Sequence, residues 1–313
     1  MMDPTNDHAE AEIAELKAGE ETLKLAHQVE QQAELAKGKG GLIQFRIEDD
    51  TFKQLEAMAK RLSSSPGMLS RQWVVERIQW ELAQSNKQAL KWHGERVEAI
   101  KEEARKADSQ DFQDGPFFVL HVIPLTDGVL LRPANMEKSA MSLRPLRRAG
   151  AYTGRINHLG YESRTAENVP KRAYIQVFRT GEFECLRPMW TKSETVLNGT
   201  FSDIEIVDAA FTACAFLAGQ QVPLPYLVLI TICGIKDMSI SSSLQVPITV
   251  EDLTLPAVEI KRPDEIAKAG SIAPMALSLY ESLNVWWNAS GHPHSMSGFD
   301  LTAKEWAPAK HPI

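Results

Sequence analysis

Residues 42–78 read LIQFRIEDDTFKQLEAMAKRLSSSPGMLSRQWVVERI, and this stretch decides the fold of the N-terminal part. Its first six residues alternate. Ile43, Phe45 and Ile47 face one side, and Leu42, Gln44 and Arg46 face the other, which is the period of a β-strand. The acids Glu48, Asp49 and Asp50 follow, as suits the positive end of a helix. Phe52, Leu55, Ala59 and Leu62 then recur at steps of three and four, giving one helical face. The run from Ser63 to Gly67 ends that helix and starts another, with Ser65 as N-cap and Pro66 at the first helical position. Leu69, Trp73, Val74 and Ile78 give the second helix its apolar face.

One strand and two short helices cannot bury their apolar side alone. The strand has no partner within the segment, so its N–H and C=O groups are unpaired. At about 40 residues the unit is near the size below which oligomerisation is usually needed. Pairing with the same strand of a second chain answers both needs. Ile43, Phe45, Ile47, Phe52, Leu55, Leu62, Leu69, Trp73 and Ile78 become the expected dimer core, and Gln44 and Arg46 stay on the outer face of a two-stranded ribbon. Such a ribbon fits the major groove of DNA, where Arg pairs with guanine and Gln with adenine.

This stretch resembles the ribbon-helix-helix family over the family's full strand-helix-turn-helix length. The resemblance implies an obligate dimer on double-stranded DNA, with bases read by Gln44 and Arg46. It also implies phosphate contacts at the start of the second helix, at Ser65 and Gly67; Lys39, on the Gly-rich hinge 38–41, is a further phosphate candidate. Leu42, in the outward row, favours the alternative that the ribbon only dimerises the chain.

Working outward, residues 1–40 form an acidic arm, helical or disordered. After residues 41–84, a charged and exposed helical connector is expected over 85–115. A larger mixed α/β domain then occupies 116–313, so the chain is α+β overall. In it Phe117–Ile123 reads as a strand, and the segments 173–178 and 183–186 as a hairpin. Asp203–Leu217 reads as a helix, Tyr226–Cys233 as a fully buried strand and Ala273–Trp287 as a last helix. Two segments, VLHVIPL at 119–125 and WWNASG at 286–291 followed by SGFD at 297–300, resemble the region found C-terminal to Schlafen-type Alba-like DNA-binding domains of bacteria. That resemblance implies a regulator but no activity.

Composition excludes several classes. The net charge of −7 argues against a general nucleic-acid coat. No apolar run is long enough to span a bilayer, and the acidic start does not read as a secretory leader. Cys185, Cys214 and Cys233 are far apart and cannot all pair, which suits free thiols in a reducing cytoplasm. Residues 132–179 carry ten basic residues against three acids, Glu137, Glu162 and Glu167. Here Arg144, Arg147, Arg148 and Arg155 form a candidate anion site, weighed against a solvated loop; a small-molecule anion or a protein are the candidate ligands. Motifs for acyl transfer, phosphate loops and zinc hydrolysis are absent, so no catalytic or metal residues and no cofactor are expected. His292 and His294 lack companion ligands in sequence, and His121 reads as a buried histidine satisfied by a hydrogen bond. The first reading is a dimeric DNA-binding regulator. The alternative is an effector or enzyme that uses the ribbon only to pair two chains.

Overall fold

The computed structural model describes residues 47–308, apart from 63, 105–114, 127, 133–135, 138–142, 147–150, 167–172, 242–245 and 269. The expected arm 1–40 with Lys39, and the expected strand residues Leu42, Ile43, Gln44, Phe45 and Arg46, therefore lie outside the described residues, as do Arg147, Arg148 and the side chain of Ile78.

Helix α1 spans Asp49–Arg61, with Asp49 and Asp50 in its first turn and Lys60 and Arg61 in its last, each complementing the helix dipole. Helix α2 begins at Pro66. The Ser65 hydroxyl oxygen accepts the Met68 N–H at 3.2 Å, the N-cap geometry expected from the sequence. Ala59 and Leu69 are buried where the two helices meet.

Helix α2 does not stop near residue 84. It runs unbroken to Ala104, 39 residues or about 58 Å. The expected boundary between residues 84 and 85 thus falls inside one helix. The expected exposed connector is also corrected, because Ala89, His93, Val97 and Ile100 are buried against a sheet, with Trp92 packed beside them. These residues form a stripe at helical spacing, and the intervening charges supply the solvent face.

The sheet is antiparallel and eight-stranded. Its strands are β1 (Phe117–Pro124), β2 (Tyr152–Ile156), β3 (Gly160–Thr165), β4 (Tyr174–Phe178), β5 (Phe183–Pro188), β8 (Tyr226–Cys233), β10 (Asp252–Thr254) and β11 (Val258–Ile260). Their order is β10-β8-β1-β5-β4-β3-β2, with β11 also pairing β8 further along its length. Small sheets form from β6 (Thr191–Ser193), β7 (Val196–Leu197) and β9 (Ser239–Ile240), and from β12 (Phe299–Asp300) and β13 (Glu305–Trp306).

Strand alternation sorts the core into two faces. Phe118, Leu120 and Val122 of β1, with Val228, Ile230 and Ile232 of β8, join the main core under helices α3 (Gly199–Gly219) and α4 (Ala273–Ala289). Val119, Ile123, Leu227, Leu229 and Cys233 point the other way, toward α2. The continuous apolar runs of β1 and β8 follow from cover on both faces. The molecule is α+β in three layers: α2, sheet, then α3 with α4.

The basic stretch 132–179 is partly sheet rather than solvated loop. Arg155 lies on β2 and Arg164 on β3. The hairpin brings Gly154 against the Tyr161 phenol, which would have to shift to admit a Cβ there.

A fragment starting at residue 116 lacks its α2 layer and leaves the Val119/Leu227/Leu229 face uncovered. It is expected to precipitate or to bind a hydrophobic dye, whereas a fragment starting near residue 85 is expected to unfold cooperatively. Limited proteolysis of the full chain should spare residues 86–104. Early cleavage there would show that α2 is not a layer of the fold.

Candidate functional site

The N-terminal helix pair carries large apolar side chains on its surface. Within one chain Ile47, Phe52, Leu62 and Trp73 are exposed, together with Met68 (69% exposed) and Val74. Leu55 is half-buried, and Leu69 is buried against α1. Six large apolar side chains on so small a unit are more than scattered surface residues explain. Ser65 and Gly67 are exposed at the N-terminus of α2, and a Cβ at Gly67 would meet nothing within 4 Å. A phosphate could approach that helix end without hindrance.

Farther along α2 the apolar stripe is interrupted by a buried polar seam. Glu184 on β5 accepts two bonds from Arg96, Nε at 2.8 Å and Nη2 at 2.8 Å. It also accepts from the Tyr174 hydroxyl at 2.8 Å and from His121 Nε2 at 2.9 Å. His121 Nδ1 meets His93 Nδ1 at 2.6 Å, and His93 Nε2 meets Thr231 Oγ1 at 2.8 Å. Thr231 in turn meets Thr254 Oγ1 at 2.9 Å. The Trp92 ring stands edge-on to His121, 4.8 Å between centroids.

The seam has a direction. Burial raises the Glu184 carboxyl, but hydrogen bonds from His121 and Arg96 overcome this and hold it down at about 2. An ionised carboxylate only accepts, so His121 Nε2 carries a proton. The two Nδ1 atoms share one proton; where His93 holds it, His93 Nε2 accepts from the Thr231 hydroxyl. Burial, then the neighbouring His121, lowers His93 to about 3, with Glu184 opposing. His121 is thus the hydrogen-bonded core histidine expected from the sequence.

Both shifts make the fold acid-sensitive. His93 has a folded value below its ordinary 6.5, so the unfolded chain takes up its proton first. Stability should begin to fall as pH drops below about 6.5, by at most about 1.4 kcal/mol per pH unit. Glu184 adds a second loss below its ordinary 4.5 and toward about 2. Asp203, raised to about 6, opposes this loss below that pH. The check is therefore the difference between wild type and His93→Gln in urea titrations from neutral pH to ~4; a difference that stays flat between about 7 and 5 would contradict it.

Two further polar clusters anchor α3. Arg187 Nη1 donates to Glu205 Oε2 at 2.8 Å and to Asp208 Oδ2 at 2.9 Å, tying β5 to the helix. Asp203 is completely buried and accepts four bonds. Trp286 Nε1 reaches one carboxylate oxygen at 2.8 Å, and Trp287 Nε1 at 2.9 Å, Ser295 Oγ at 2.6 Å and Ser297 Oγ at 2.5 Å reach the other. Burial pushes this carboxyl up to about 6 against the pull of those four donors. The segments WWNASG and SGFD thus supply donors to one buried acid, which the sequence did not single out.

Of the candidate anion residues, Arg144 and Arg155 are among the described residues. Arg144 is half-buried and its carbonyl accepts from Arg187 Nη2 at 3.4 Å, whereas Arg155 is paired with Glu162 at 3.3 Å. His292 packs edge-on against Trp287, 5.3 Å between centroids. Among the described residues no group of three or more His, Cys, Asp or Glu could hold a metal. All three cysteines are free and buried, and burial raises Cys185 to about 11. Among the described residues no helix is long and apolar enough to cross a membrane. Comparison with known proteins finds no matching family model, no matching curated protein and no matching solved structure.

Proposed function

We propose that the chain is a dimeric, sequence-specific DNA-binding regulator of the bacterial cytoplasm. Two copies of residues 41–84 form the reading head, and the sheet domain senses a ligand or partner. The observation that carries the reading is the apolar surface on α1 and the start of α2. Ile47, Phe52, Leu62, Met68 and Trp73 are exposed in one chain, next to a strand sequence that needs a second strand. A partner copy would satisfy both needs. Gln44 and Arg46 then read bases, while Lys39, Ser65 and Gly67 hold phosphates.

The resemblance at 119–125, 286–291 and 297–300 supports a regulator, and the sheet domain's role as sensor rests on the arginines at 144–155. An anionic small molecule or a protein surface suits those arginines. The direct experiment is to pass fragmented genomic DNA over the full-length protein. A small set of retained fragments sharing a short inverted repeat supports the regulator. Uniform retention, or none, would favour an effector in which the ribbon only pairs two chains, as Leu42 in the outward row suggests.

A further inference from the structure

Between the two Nδ1 atoms of His93 and His121, 2.6 Å apart, there is room for one proton only. Two facing N–H groups at that distance would repel. Glu184 is already engaged: it accepts four hydrogen bonds and is paired with Arg96. The other groups around His93 offer no counter-charge. Tyr174 on β4 donates to Glu184, and the Arg164 guanidinium from β3 stands over its ring at 5.4 Å. Thr231 and Cys233 of β8 are neutral. Asp252 of β10 is taken by Lys101 at 2.6 Å, Glu98 also pairs with Lys101, and Glu103 acts on Arg96 from α2 itself. An added proton therefore leaves net positive charge trapped between helix and sheet.

We propose that this seam is an acid-opened latch: a proton taken up by the His93–His121 pair releases residues 86–104 of α2 from the sheet while the rest of the fold stays intact. Release is local because that half of α2 is held by few apolar anchors, Ala89, Trp92, Val97 and Ile100, whereas α3 and α4 share the extended main core. Since α2 also begins at Ser65 and Gly67, the latch governs how firmly the N-terminal helix pair is held to the sheet domain.

Hydrogen exchange of the full chain, corrected for the intrinsic pH dependence of the amides, tests it. Between pH ~7.5 and ~5.5 protection of 86–104 should fall about tenfold, as expected for uptake of one proton by a group with an open-state value near 6.5. Protection of α3, 199–219, should not change. His93→Gln, which donates and accepts but does not titrate, should remove the acid response. Unchanged protection of 86–104, loss in step with α3, or an acid response that survives in His93→Gln would each overturn the latch. If that variant does not fold, the wild-type profile decides. Onset near pH 6.5 supports the histidine pair, and onset only below about 4.5 assigns the response to a carboxylate and overturns it.

Discussion

Arg46→Ala is expected to abolish the preference for a cognate DNA site while leaving the dimer folded. The alternation of residues 42–47 places Arg46 opposite Ile43, Phe45 and Ile47. A register slip of one residue would bury Gln44 and Arg46 and expose Phe45, which an apolar dimer core would not accept. Each lost base contact costs about 1–3 kcal/mol of discrimination, or a factor of about ten or more. A dimer would carry two copies, so independent contacts would multiply to about a hundredfold. Non-specific binding should survive, because Lys39, Ser65 and Gly67 remain to hold phosphates. Titration of cognate and scrambled duplexes at two salt concentrations separates these terms. An unchanged cognate preference would mean that the ribbon does not read sequence.

Asp203→Ala is expected to unfold the sheet domain, or nearly so. The change removes the carboxylate that accepts from the indole N–H groups of Trp286 and Trp287, both almost fully buried. A buried donor left without a partner costs about 1–3 kcal/mol. Two indoles therefore cost about 2–6 kcal/mol, before the hydroxyls of Ser295 and Ser297 are counted. That compares with a total of about 5–15 kcal/mol for a typical domain. Asp203→Asn keeps one good acceptor and should fall between the two. Chemical denaturation measures the order, and an alanine variant within about 1 kcal/mol of wild type would contradict the structural role given to Asp203.

Much of the sheet domain was legible because its signals are local. The Ser65–Pro66 start of α2, the β4–β5 hairpin, the unbroken strands β1 and β8 and the helices over 203–217 and 273–287 each announce themselves within about ten residues. What was hidden depends on distance or on polar residues in apolar places. The docked half of α2 looked solvated because His93 and Arg96 interrupt its stripe; Ala89, Trp92, Val97 and Ile100, at steps of three and four around them, were the available signal. The β2–β3 hairpin was masked by its arginines and by Gly154, which lies against the Tyr161 phenol across the ladder. Asp203 meets its indole partners more than 80 residues away in sequence, so no local pattern could join them. Arg155, read with the other arginines from proximity in sequence, lies on a strand and is paired with Glu162.

The central claim is that two chains, paired through residues 42–78, hold one DNA site. Sedimentation of the full-length protein with a fluorescent duplex, selected from a random library by the protein itself, tests it most directly. The account predicts a duplex carrying an inverted repeat and bound by two chains, with no folded monomer at micromolar concentration in its absence. A stable monomer, or a dimer that enriches no sequence and binds every duplex alike, would contradict it.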